Sequence, residues 1–132
     1  MQKISINVQE PYYPFIISGQ KTIEGRLNKG KFASIQEGDT LILAPKNIEF
    51  EVVGKNIYNS FKEMIKSEGV KNVVPDKIDI EEAVNVYYKF YTKEQENEFG
   101  VSAIKIKKIK YIEKNKKILS CRVSEKKRTD NE

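Results

Sequence analysis

The chain contains no histidine and no tryptophan, and Cys121 is the only cysteine among its 132 residues. These absences exclude whole classes of chemistry. Without histidine there is no Ser-His-Asp or Cys-His catalytic pair. A lone thiol makes neither an internal disulfide nor a Cys/His zinc site. No apolar run approaches the length of a membrane span. The opening residues, MQKISINVQE, show no signal-peptide pattern. The expectation is a cytoplasmic protein in a reducing setting. The sequence carries no cofactor or metal motif, so neither is expected. Any chemistry must rest on Lys, Arg, Glu, Asp, Tyr, Ser and Thr.

What is present is charge, and it is unevenly placed. The net charge is +5. Residues 105–132 hold 11 basic and 4 acidic side chains, for a net of +7, whereas residues 1–104 carry a net of −2. A dense lysine segment attracts polyanions through counterion release, without regard to sequence. A solubilising strand and tail would look the same. The length suits one domain with a real core and is too short for two.

Periodicity orders the elements. Residues 3–8 alternate as a half-buried strand. Pro11 opens a short helix over about Tyr12–Ser18, and Gly19 stands just past its end. A second strand is expected at Lys21–Leu27, then a basic loop or single helical turn in NKGKFASI. Short strands follow at Leu41–Leu43 and Ile48–Tyr58, the latter interrupted by a bulge at Gly54. Ser60 with Glu63, Asp79 with Glu82 and Thr92 with Gln95 have capping-box spacing and open three helices. Val101–Ile112 reads as a long strand, and Leu119, Cys121 and Val123 alternate as a further one. Residues 125–132 have a disordered composition. Short strands around a small core, with helices between them, indicate an α+β domain built on a small β-barrel.

The most informative stretch is GQKTIEGR, residues 19–26. On a strand, alternate side chains take opposite faces. Ile23, Gly25 and Leu27 then share one face, and Thr22, Glu24 and Arg26 the other, with Lys21 at the start. That is a polar constellation on a rigid element, where binding groups are held most accurately. An edge strand with a solvated, ion-paired face has the same pattern.

The blocks EPYYPFIISGQKTIEGRLNKGKF, EGD, YNSFKEMIKSEG and VYYKFYTKEQENEFGVSAIKI, over about residues 5–106, together resemble the ASCH domain, and most of all its small stand-alone bacterial and archaeal members. The resemblance implies a PUA-like small β-barrel with a helical insertion, spanning residues 1–112, followed by a basic C-terminal extension, 113–132. It implies a cleft lined by the GxKTIExR strand and a partner that is RNA or a nucleoside-like small molecule. One small bacterial branch removes acetate from 4-acetylcytidine, using a lysine, a threonine three residues on and a distant acid. Lys21 matches the lysine, Glu24 stands where the threonine would be, and Glu68 is the best match for the acid. Other relatives resemble nucleases of single-stranded RNA, or coactivator modules.

Three readings follow. For binding, Lys21, Arg26, Lys29 and Lys31 meet phosphates or carbonyl oxygens, Thr22 is a further ligand-binding candidate on the same strand, and Glu24 accepts from an exocyclic amine. Tyr13 or Tyr58 stacks on a base, whereas Tyr87, Tyr88 and Tyr91 fall in a helical stripe that suits a core. For hydrolysis of an acylated pyrimidine nucleoside, Lys21, Glu24 and Glu68 are the catalytic candidates. A carboxylate at position 24 holds Lys21 as a cation and weakens it as a base. For a metal-independent ribonuclease, the candidates are Lys21, Arg26, Lys29, Lys31 and Tyr58. A protein-interaction module docking through residues 60–99 is a further alternative.

Overall fold

The computed structural model describes residues 1–109. Its elements run β1 (Lys3–Asn7), α1 (Tyr12–Ser18), β2 (Ile23–Leu27), α2 (Lys31–Ser34), β3 (Thr40–Ala44), β4 (Ile48–Tyr58), α3 (Phe61–Glu68), α4 (Val70–Val73), α5 (Ile80–Tyr88), α6 (Lys93–Phe99) and β5 (Val101–Lys108). The strands form one curled, half-barrel sheet in the order β1-β3-β4-β5-β2. Among the described residues, only β1 and β3 pair in parallel; the other ladders are antiparallel. The expected α+β barrel class is therefore observed, as an open half-barrel. No described helix is long and apolar enough to cross a membrane.

Both faces of the sheet are covered. Inside the curl, Ile4, Ile6, Leu41, Leu43, Phe50, Val52, Ile104 and Ile106 pack with Tyr13 and Ile16 of α1. On the other side, Ile23, Leu27, Val101 and Ala103 pack beneath α3, α4 and α5. Alternation on β5 serves both cores at once, with Val101 and Ala103 facing one and Ile104 and Ile106 the other. Between Val52 and Gly54 the β4–β5 register slips by one residue. That bulge, placed where the sequence puts its glycine, lets the long strand β4 bend with the curl.

The helical insertion is fixed by caps and by one buried carboxylate. Ser60 accepts from the Glu63 amide at 3.0 Å. Thr92 and Gln95 form a complete capping box. Helix α5 begins after Asp79 as expected, but the Asp79 side chain makes no capping bond. Glu96, 4% exposed, accepts from the Phe61 amide and from the Tyr88 hydroxyl, each at 2.7 Å. It thereby ties α3, α5 and α6 together. Phe61 is wholly buried and stacks on both Tyr87 (4.5 Å between centroids) and Tyr91 (5.4 Å).

Two boundaries differ from the sequence expectation. Strand β2 starts at Ile23, because the Lys21 amide donates to Phe15 O and the Thr22 amide to Asn72 O, away from the ladder. Strand β5 ends at Lys108. The expected strand around Cys121 and the basic extension lie outside the described residues.

Phe61→Ala opens a void under two stacked tyrosines. It is expected to lower the unfolding free energy by about 3–5 kcal/mol. Urea denaturation measures this; a loss below about 1 kcal/mol contradicts the packing described.

Candidate functional site

Strand β2 is an edge strand of the sheet order, yet its polar side chains are not solvated. The curl brings β1 and β2, the two edges, toward each other. Arg26 crosses that seam and donates from Nη2 to the main-chain oxygen of Asn7 at the end of β1. Its Nε donates to Glu24 Oε2 at 2.6 Å. From the other side, the Lys21 ammonium lies 3.6 Å from Glu24 Oε1. Lys21 also donates to Ile23 O at 2.6 Å and to Val73 O at 2.5 Å. A carboxylate that is 6% exposed thus sits between two cations, one of them 3% exposed. The solvated, ion-paired face that the pattern also allowed is not what forms.

The electrostatics follow from burial and proximity. Burial disfavours the charged form of Glu24, but Arg26 and then Lys21 outweigh it and leave the carboxyl below its ordinary value. Burial pulls the Lys21 ammonium below the usual lysine value, with Glu24 opposing. Burial works against the Arg26 guanidinium too, but Glu24 overcomes it and raises Arg26. Burial, and after it the Glu24 charge, push the Tyr87 hydroxyl well up, so it stays a donor.

These groups line a cavity of about 260 Å³. Its polar wall comprises Lys21, Glu24 and Arg26 with Asn7, Gln9 and Glu10; its apolar walls include Tyr12, Tyr87, Phe90 and Tyr91. Gly25 lies in the wall, where any side chain would force Met64 and Tyr87 to shift. A Cβ there would stand 2.6 Å from the Met64 methyl and 2.9 Å from the Tyr87 hydroxyl. The Lys21 ammonium also lies 5.7 Å from the centroid of the Tyr12 ring.

The remaining sequence candidates are placed elsewhere. Thr22 is half-buried and does not line the cavity. Lys29 and Lys31 line a neighbouring cavity. Tyr58 and Glu68 line neither; they bond each other, the Tyr58 hydroxyl donating to Glu68 Oε2 at 2.5 Å, and Asn56 donates to the same oxygen at 3.0 Å. Tyr13 is buried in the inner core and donates to Leu43 O. Tyr87 and Tyr91, expected in the core, serve as core and cavity wall together. Phe90 was not singled out by its sequence setting. Its spacing of three from Tyr87 was the available signal.

The profile of the ASCH domain matches residues 6–110. Among solved structures, that of the hypothetical protein PH0355 superposes with a TM-score of 0.77 at 42% identity, covering 83% of this chain and all of that one. The solution structure of protein PF0455 from Pyrococcus furiosus superposes with a TM-score of 0.70 at 37% identity, covering 84% of this chain and all of that one. No curated protein matches the chain.

Glu24→Gln removes the anion and leaves Lys21 and Arg26 buried against each other. At neutral pH it is expected to cost about 3–5 kcal/mol of stability. A depressed carboxyl contributes stability above its unfolded value of 4.5, and that contribution is lost as pH falls through the lower folded value. The gap between variant and wild type therefore closes in strong acid. Urea unfolding across a pH series checks both points; a gap that is constant with pH contradicts the assignment.

Proposed function

The chain belongs to the ASCH domain family, of PUA-like fold and associated with RNA binding, and from that premise and the cavity we propose that it binds RNA or a nucleoside by enclosing one base against Glu24. The observation that carries this is a buried, ionised carboxylate facing an aromatic-walled cavity. One Glu24 oxygen is bound by Arg26, while the other stands 3.6 Å from Lys21, beyond hydrogen-bond reach. A carboxylate only accepts, so that oxygen matches a donor edge such as the exocyclic amine of cytosine. Tyr12, Tyr87, Phe90 and Tyr91 supply ring faces on which a base stacks. At about 260 Å³ the space suits a single heterocycle.

Each charged group takes a distinct role. Lys21 donates to Ile23 O and Val73 O, which holds its charge 3.6 Å from Glu24 and makes it a positioning residue for the carboxylate. Arg26 spends one N–H on Glu24 and one on Asn7 O. Its guanidinium has five in all, and those left over match a carbonyl oxygen of the base. Hydrolysis of an acylated base has less support. Position 24 carries no hydroxyl, and Glu68 does not line the cavity.

Calorimetric titration distinguishes these readings. Cytidine is expected to bind, with uridine about tenfold weaker or more, since uracil presents an acceptor where cytosine presents a donor. Tyr91→Leu is expected to weaken both by a similar factor, about fivefold or more. Equal affinities for the two nucleosides, or no binding of cytidine, overturn the proposal. Release of cytidine from 4-acetylcytidine by wild type but not by Lys21→Ala supports the hydrolytic alternative instead.

A further inference from the structure

The cavity that Glu24 faces shares a wall with a second one of about 350 Å³. Phe90 and Tyr91 line both. They sit in the turn between α5 and α6, where each donates its amide to Tyr87 O at 3.0 Å. The reciprocal Thr92–Gln95 box fixes the chain immediately after them. Phe90 is nevertheless 53% exposed. The partition is thus a rigidly mounted aromatic ridge whose leading ring remains open to solvent.

The two cavities differ in charge. In the first, every cation faces the Glu24 carboxylate. Among the described residues, the second is lined by Lys29 and Lys31 and by no acidic side chain. Lys31 gives one hydrogen bond to Ser5 O at 2.6 Å. The Lys29 ammonium lies 4.7 Å from the centroid of the Phe99 ring. Among the described residues, neither ammonium has a carboxylate within ion-pair distance. Phe32 completes the wall, on a turn whose carbonyl oxygens are held by Lys55: its ammonium donates to Phe32 O, Ala33 O and Ile35 O at 2.8–3.1 Å. Two uncompensated ammonium groups beside ring faces match a phosphodiester with a base attached. A free nucleoside has nothing to offer them.

We infer that the second cavity takes the phosphodiester and the adjacent nucleotide of a single-stranded RNA whose neighbouring base occupies the Glu24 cavity. Phe90 stands between the two bases as a stacking wedge. This rests on the reading of the first cavity given above and extends it from one base to a dinucleotide step.

The test compares cytidine with the dinucleotide CpC by calorimetric titration at several salt concentrations. In wild type, CpC is expected to bind about tenfold tighter than cytidine or better at low salt. Its log affinity is expected to fall with log salt at a slope of about −0.7, as for one phosphate on a single strand, while cytidine shows no slope. The double variant Lys29→Ala, Lys31→Ala is expected to bring CpC down to the cytidine level and leave cytidine itself unchanged. Equal affinity of wild type for cytidine and CpC overturns the second cavity and leaves the first standing. So does a CpC advantage that survives the double variant. No binding of cytidine to wild type overturns the first cavity, and the dinucleotide reading with it.

Discussion

The buried Glu24 carboxylate is the constraint on which the rest of the arrangement depends. Three pieces of chain meet at it. Arg26 bonds it and continues across the open seam of the half-barrel to the end of β1. Lys21 faces it and bonds main-chain oxygens of β2 and α4. One anion thus sets the relative position of both sheet edges and of the helical insertion. Taking such charges out of water costs several kcal/mol for each, by order of magnitude, and an apolar trio of similar volume often serves stability as well or better. What an apolar trio does not provide is a charged wall for a cavity. That charged wall is the feature on which the proposed base binding rests.

The cavity also depends on strand β2 being covered on both faces. Its apolar face lies on the core formed by α3, α4 and α5, and its polar face turns toward the seam. Gly25 makes this possible. With no Cβ, it lets the Tyr87 hydroxyl and the Met64 methyl approach the strand. Tyr87 is in turn held by stacking on Phe61, and Phe61 by the Glu96 carboxylate that binds its amide. A chain of packing therefore runs from the capped helices of the insertion to the wall opposite Glu24. The edge of the PUA-like sheet supplies most of the polar side, and the insertion, with Tyr12 of α1, supplies the aromatic side.

Much of this was legible in local pattern. Residues 12–18 and 48–58 form the expected helix and strand, because a proline opens the first, a left-handed glycine ends it, and alternation marks the second. The bulge at Gly54 and the Thr92–Gln95 box were equally visible, since each is encoded within a few residues. Asp79 had the spacing of a box and does not form one; spacing is necessary for such a bond and does not compel the rotamer. Lys21, Glu24 and Arg26 stood out as near neighbours on one strand. Lys29 and Lys31 also stood out, although composition could not assign them to a separate cavity.

The sequence by itself determined the α+β class, the order of the elements, the family and the charged triplet, because periodicity, caps and short motifs are local properties of the chain. Only the tertiary structure decided that the triplet is buried rather than solvated, since burial requires β1, α4 and β2 to converge from positions far apart in sequence. It alone separated Tyr58 and Glu68 from Lys21. It alone made Phe90 and Tyr91 a partition between two cavities, because that role depends on which surfaces the helical insertion brings against β2.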